Sequence, residues 1–134
     1  MIEAQLQQEI VVRSENRAGV LASMTRILSE MGINILAVRL YSTDTDTVVH
    51  VLTNSQTYAA DALQGAGFEV AERDVILLQL PHHPGFLRRA SEALARKEIV
   101  IHDLHISVPL EGKVGIVVLT TSNNAHAIQL LRSH

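Results

Sequence analysis

The chain repeats itself at an offset of 66 residues, and this repeat limits the folds it can adopt. At this offset Gly19 corresponds to Gly85, and Leu28 to Leu94. Other apolar pairs in the same register are Ile33 with Ile99 and Ile35 with Ile101. Because the apolar positions stay aligned through a strand, a loop and a helix, the sequence predicts two copies of one supersecondary unit.

The first repeat shows the pattern of a βαββαβ unit. A helix is predicted from apolar residues spaced for one helical face, and Gly32 is a suitable residue to end it. That face comprises Val20, Leu21, Met24, Ile27, Leu28 and Met31. A second helix is predicted over 55–66, with Tyr58, Ala59, Ala62, Leu63 and Ala66 on one face. The predicted strands are 9–13, 33–41, 47–53 and 68–73, with residues 43–46 as the turn of a hairpin.

The second repeat follows at once but is shorter. Its predicted strands are 75–80, 99–108 and 113–121, with a turn at Pro109–Gly112. Its predicted helices are 84–97, with Phe86, Leu87, Ala90, Ala93 and Leu94 facing the core, and 123–132. No residues remain for a fourth strand, so strand 75–80 is expected to have an unpaired edge. We expect another chain to cover that edge, or the sequence to be a shortened form of a longer one.

The fold class expected from this order is α+β, with two tandem ferredoxin-like modules. Each module has an antiparallel sheet with its helices on one face, and the second module lacks its last strand. The modules are predicted to cover residues 1–73 and 74–134. One layer of helices leaves the other sheet face bare, which favours pairing of modules and dimerisation of the chain.

Composition excludes several classes of function. The net charge of −3 and an aromatic content of 3% are unsuited to binding phosphates or stacking bases, so we expect no nucleic-acid partner. The chain has no Cys, which rules out disulfides and thiolate metal sites. No signal peptide and no apolar run long enough to span a membrane is visible. We therefore expect a cytoplasmic protein with no membrane partner.

The loop before the first helix of each repeat is the predicted ligand site. Helix amino termini present main-chain N–H groups and the positive end of the helix dipole, which suit a carboxylate. Gly19 and Gly85 lack a Cβ atom, so a ligand can approach the main chain closely. Asn16 and Asn34 offer both donors and acceptors, which suit the two charged ends of an amino acid. As alternatives, the glycines serve only the turns, and Asn34 bonds its own main chain.

Two segments carry a resemblance to a known family. The run Glu15-Asn16-Arg17-Ala18-Gly19-Val20-Leu21, followed by Glu30-Met31-Gly32-Ile33-Asn34-Ile35, resembles the ACT domain pattern. Leu80-Pro81-His82-His83-Pro84-Gly85 is similar to the corresponding loop of small stand-alone tandem ACT proteins. The resemblance covers residues 7 to about 132. Ala18 departs from the usual Pro, and His82 and His83 replace the usual loop residues.

The resemblance implies an amino-acid-sensing protein that binds its ligand between two ACT modules, without a cofactor or a metal. By position, the loop 16–21 would face Val100 and Ile101, and the loop 82–87 would face Asn34 and Ile35. The implied ligand-binding residues are Asn16, Arg17, Ala18, Gly19, Val20, Leu21, Asn34, Ile35, His82, His83, Gly85, Phe86, Leu87, Val100 and Ile101. We expect two unequal half-sites, completed by formation of a homodimer.

Two other functions stay open. One is a protein-interaction subunit that regulates a separate biosynthetic enzyme. The other is a metal sensor, since the chain has seven His. Alternation along a strand places His102 and His105 on opposite faces, so a shared ion would require a bulge. We find no catalytic constellation; Arg17 beside Asn16 is only a faint similarity to a hydrolase loop. The protein is therefore not expected to be an enzyme.

Overall fold

The computed structural model describes residues 3–81, 84–108 and 114–133. The described strands are β1 Glu3–Glu15, β2 Ile35–Ser42, β3 Asp46–Thr53, β4 Glu69–Pro81, β5 Ile101–Ser107 and β6 Val114–Thr121. The described helices are α1 Val20–Glu30, α2 Gln56–Gly65, α3 Phe86–Arg96 and α4 Asn124–Arg132. The element order within each repeat confirms the predicted α+β fold of tandem ferredoxin-like modules.

The described chain divides into two compact units. The first unit is Gln8–Arg73, and the second contains residues 3–7 together with 74–133. The sequence predicts modules over residues 1–73 and 74–134. Residues 3–7 were assigned to the first module, but they group with the second unit. Both β1 and β4 therefore contribute to each unit.

The first unit has the strand order β2-β3-β1-β4. The strand β3 is antiparallel to both β1 and β2, with Val12 opposite Val49 and Leu40 also opposite Val49. The side chains that alternate to one face of this sheet pack against α1 and α2. Their buried core is Ile10, Val12, Val20, Met24, Leu28, Ile33, Val49, Val51, Ala59, Ala60 and Leu63.

The second unit has the order β1-β4-β6-β5, and no strand follows α4 among the described residues. The expectation that another chain covers the edge of β4 was wrong, because the amino-terminal part of β1 occupies that edge. Ala4 is buried in the core of this unit, and its carbonyl accepts a hydrogen bond of 2.9 Å from Nε of Arg132. The sequence prediction missed this pairing because it began β1 at residue 9, whereas the strand begins at Glu3.

The helices bury a narrower face than the apolar pattern predicted. The buried residues of α1 are Val20, Met24 and Leu28. Five residues assigned to helical core faces are instead exposed, and these are Leu21, Met31, Tyr58, Ala66 and Leu87. Each helix packs one side against a sheet. Apolar residues at the margin of its apolar face therefore remain exposed to solvent. No helix of the described segments is long and apolar enough to cross a membrane.

Candidate functional site

Both predicted ligand loops end in a left-handed glycine. Gly19 precedes α1 with a φ of 87°, and Gly85 precedes α3 with a φ of 98°. L-residues with a Cβ atom disfavour this conformation, so glycine is required by the turn itself. Neither helix start has a side-chain hydrogen bond to its cap. The glycine before each helix thus has the same left-handed conformation in both repeats.

Asn16 closes the loop of the first unit against the β2–β3 turn. Its Nδ2 donates to the carbonyl of Thr43 at 2.7 Å, and its Oδ1 accepts from Oγ1 of Thr47 at 2.7 Å. The main-chain N–H of Asn16 donates to the carbonyl of Thr45. The amide therefore has a structural role that the sequence did not predict. Its partners lie about 30 residues further along the chain, where no local pattern reveals them.

Asn34 stands at the mouth of β2, as predicted. Its N–H donates to Oδ1 of Asn54 at 3.1 Å, and its carbonyl accepts from the N–H of Asn54 at 3.2 Å. We call these two reciprocal hydrogen bonds the main-chain bracket. They involve the main chain of Asn34 and not its side-chain amide. The exposed amide of Asn34 is therefore placed at the surface by a fixed main chain.

An open cavity of about 440 Å³ lies beside Asn34. It is lined by Thr25, Ser29, Gly32, Ile33, Asn34 and Ile35. Thr25 and Ser29 are one turn apart on α1, so their hydroxyl groups lie along the same side of the helix. The positive φ of Gly32 turns the chain from α1 into β2. We name this cavity the β2-entry groove; it combines hydroxyl and amide groups with an aliphatic wall.

The second unit repeats the bracket but changes its chemistry. The N–H of Val100 donates to Oγ of Ser122 at 3.0 Å, and the N–H of Ser122 donates to the carbonyl of Val100 at 2.9 Å. Val100 stands where the first unit has Asn34, and its side chain is exposed. An aliphatic side chain here supplies no hydrogen bond to a ligand. The two units therefore differ at equivalent positions.

The structure places the predicted site residues in several groups. Asn34 and Ile35 line the β2-entry groove, whereas none of the residues 16–21 does. Phe86 and Leu87 line a separate small cavity in the second unit. Most loop residues are exposed, and Val20 is buried in the core. His82 and His83 lie outside the described residues.

The sequence did not predict Thr25 and Ser29 as parts of the groove, or Asn54 as the partner of the Asn34 main chain. Thr25 and Ser29 lie on the polar side of an amphipathic helix, where side chains are usually solvated. The signal that could have found them is their spacing of four residues beside the helix end at Gly32. Asn54 could have been found because it follows the strand β3 that pairs with the mouth of β2.

The histidines do not form a metal centre within the described segments. No group of three or more His, Cys, Asp or Glu side chains suited to a metal ion is found there. The register of β5 against β6 shifts between Ile101 and Asp103. His82, His83 and His134 lie outside the described residues.

A family model and several solved structures resemble this chain. The family model is described as an ACT domain pair and matches residues 5–133. No protein with a curated description matches the chain. A structural match is protein BT0572 from Bacteroides thetaiotaomicron, with a TM-score of 0.89 and 23% identity. That match covers 97% of this chain and 89% of the other.

Two further structures share the fold at lower identity. The regulatory subunit of aspartate kinase from Thermus thermophilus, in its ligand-free form, has a TM-score of 0.73 and 15% identity. It is matched over 99% of this chain and 96% of that one. The regulatory subunit of aspartate kinase from Thermus flavus has a TM-score of 0.62 and 16% identity, with 98% and 95% covered. At such identities the likeness shows the fold alone.

Proposed function

Because the chain belongs to the ACT domain pair family, we propose that it is a regulatory protein that binds an amino acid or a similar small ligand. The observation that carries this proposal is the β2-entry groove, which the exposed amide of Asn34 shares with Thr25 and Ser29. An amino acid presents both an ammonium and a carboxylate, and an amide can donate to one and accept from the other. The aliphatic wall of the groove suits the remaining atoms of the ligand.

We propose that the two units bind the ligand with different affinities. The first unit offers Asn34 at the mouth of its second strand, whereas the second offers Val100 at the equivalent position. The loss of one polar contact at a ligand's charged group lowers affinity, because the group then lacks a partner in place of water. We therefore expect a side-chain hydrogen bond to the polar end of a ligand at the first unit's groove, and none at the equivalent position of the second unit.

Isothermal titration with each of the twenty amino acids tests this proposal. We expect heat and a rise in Tm with at least one of them, since a ligand that binds only the folded state stabilises it. Asn34→Ala is expected to weaken that binding, while Gln64→Ala, which removes an exposed amide from α2 of the same unit, leaves it unchanged. No heat and no thermal shift with any amino acid would contradict the proposal.

A second candidate function is that of a regulatory subunit for a separate enzyme of amino-acid biosynthesis. The named regulatory subunits of aspartate kinase that share this fold favour it. The test is the activity of purified aspartate kinase from the same source, measured with and without this chain, at several amino-acid concentrations. A change in activity that depends on the chain supports the candidate, and activity that is identical throughout counts against it.

The proposal includes a homodimer. β2 is an outer strand of the first unit, and β5 is an outer strand of the second. Both carry exposed apolar side chains, such as Val38 on β2 and Ile106 on β5. An outer strand has main-chain groups free to pair with another chain, and apolar side chains favour such pairing. Light scattering behind size-exclusion chromatography measures the mass directly. A monomer mass at all protein concentrations, with and without ligand, would rule out this part of the proposal.

A further inference from the structure

Three residues that face one another across neighbouring strands form a layer, and the polarity of this layer differs between the two units. In the first unit Ser14 and Ser42 both pair with Thr47 across the sheet. In the second unit the equivalent residue of β6 is Gly115, which pairs with Leu80. A Cβ atom on Gly115 would lie 3.1 Å from Cγ2 of Val108, the counterpart of Ser42. A polar layer in the first unit thus corresponds to an apolar layer in the second.

The polar layer of the first unit is filled and bonded. Thr47 is 6% exposed, and its hydroxyl donates to Oδ1 of Asn16. Its Oγ1 also lies 3.4 Å from Oγ of Ser42. A buried hydroxyl with such partners leaves neither space nor an apolar surface for a ligand. The first unit therefore closes this part of its structure with its own side chains.

The corresponding part of the second unit contains a cavity of about 50 Å³. Its lining consists of Leu80, Pro81, Phe86, Leu87, Ile106 and Val108 around the buried Gly115. The cavity exists because Gly115 contributes no side chain where the first unit has Thr47. A single water requires about 15 Å³ and several hydrogen-bond partners, and aliphatic walls supply none. Such a cavity is suited to an aliphatic group.

We infer that the cavity beside Gly115 binds the short aliphatic side chain of an amino acid such as valine, leucine or isoleucine. This assignment rests on the proposed function, and it names the class of ligand and a site in the second unit. Among the described residues, the lining offers no side chain that could replace the water around a charged group, so a charged side chain is disfavoured. Leu87 lies in the first turn of α3, where the helix dipole favours the carboxylate of the same ligand.

The test compares Gly115→Ala with Gly65→Ala. At Gly115 a methyl group enters the cavity and displaces only the end of the Val108 side chain. At Gly65, which lies in α2, an added Cβ meets nothing within 4 Å. We expect Gly115→Ala to weaken binding of leucine and valine by about tenfold or more in isothermal titration, as one methyl group in an apolar pocket does. Gly65→Ala is expected to bind as the unaltered protein does.

Two additional measurements keep the inference testable if Gly115→Ala fails to fold. Xenon dissolved in the unaltered protein's solution is expected to shift the methyl NMR signals of Leu80, Leu87 and Ile106. The variant Val108→Ala enlarges the cavity and is expected to change the preference from valine towards larger side chains, such as that of methionine. Xenon shifts at none of these methyl groups would overturn the inference.

The outcomes separate this inference from the proposed function. If aliphatic amino acids bind equally well to the unaltered protein and to Gly115→Ala, the inference fails and the proposed function stands. A marked preference for charged amino acids has the same meaning. If no amino acid binds to the unaltered protein, both fail. Binding of leucine and valine that Gly115→Ala weakens and Gly65→Ala leaves unchanged supports both.

Discussion

Oε1 of Glu9 lies 2.8 Å from Nδ1 of His50, and both side chains are buried within the sheet of the first unit. Nε of Arg73 lies 2.8 Å from the same oxygen. An ionised carboxylate only accepts hydrogen bonds, so Nδ1 of His50 carries the proton. These three side chains join β3, β1 and β4. A carboxylate that is 1% exposed is thus stabilised by two donors from the neighbouring strands.

Replacing Glu9 by Gln is expected to destabilise the protein. The amide cannot stabilise the Arg73 guanidinium as an ion pair, and it presents a donor near two existing donors. We expect the free energy of unfolding to fall by about 2 kcal/mol, as for a buried polar group that loses its partner. Urea denaturation measures the change. As a control, Glu92→Gln breaks the solvent-exposed pair with Arg88 and is expected to have no measurable effect.

The stability of the protein is expected to depend on pH through Glu9. Burial alone raises the pKa of the Glu9 carboxyl, but hydrogen bonds from His50 and Arg73 and the charge of Arg73 outweigh it and hold the pKa below 4.5. The unfolded chain therefore takes up the proton first as pH falls. The stabilisation is complete above about pH 4.5 and is lost as pH falls through the lower, folded pKa.

The corresponding measurement is a series of urea denaturations between about pH 6 and pH 3. The unaltered protein is expected to lose more stability over this range than Glu9→Gln, in which the titrating group is absent. Parallel pH profiles for the two proteins would show that the Glu9 cluster does not contribute to the acid sensitivity.

Ala4→Asp is expected to destabilise the second unit selectively. Ala4 is 5% exposed in a core of buried aliphatic side chains, which cannot replace the water around a carboxylate. We expect faster hydrogen exchange at the β4 amides of Val75–Leu80, and little change at those of β3. Leu6→Asp is the control, because Leu6 is on the same strand but 53% exposed. Equal effects of the two changes would contradict the assignment of β1 to this edge.

Glu98→Gly is expected to stabilise the protein. Glu98 has a φ of 56° after α3, and Gly32 has a φ of 71° at the equivalent position after α1. Both ends are closed alike, by Ile99 N–H to Leu94 O and by Ile33 N–H to Leu28 O. Since an L-residue in this conformation is strained, the change is expected to raise the free energy of unfolding by about 1 kcal/mol. A Tm that does not rise would contradict this expectation.

Asn16→Ala is expected to loosen the loop of the first unit. The change removes the hydrogen bonds to Thr43 and from the buried hydroxyl of Thr47, and about 1–2 kcal/mol of stability should be lost. Asn34→Ala, which removes an exposed amide outside the bracket, should leave stability unchanged. Urea denaturation measures both effects. Ligand binding that survives Asn16→Ala would refute a ligand contact from Asn16, although not its structural role.

Much of the fold could be predicted from the repeat. The helix α1 was predicted from its apolar spacing and begins and ends within about a residue of the expected positions. The strands 68–73 and 75–80, however, were predicted as separate elements, and they form the single strand β4. Arg73 and Asp74 interrupt the apolar pattern at the point where the two units divide. Adjacent charged residues are typical of a turn, but in the structure both lie within the continuous strand β4.

The candidate site was less predictable. The left-handed glycines and the position of Asn34 follow from local patterns, because a turn and a strand start depend on a few neighbouring residues. The partners of Asn16 and the polar lining from α1 required the folded chain, since they join residues far apart in sequence. The cavity beside Gly115 was not foreseen, because its lining comes from β4, α3, β5 and β6.

The sequence by itself determined that the chain folds as two similar units with antiparallel sheets, because apolar periodicity and turn residues act locally and are repeated at a fixed offset. Only the tertiary structure decided what completes the second unit. The edge of β4 is paired by residues 3–7 of the same chain. Strand edges are satisfied by main-chain groups that every residue possesses, so the polar run around Gln5 and Gln7 gave no sign of the pairing.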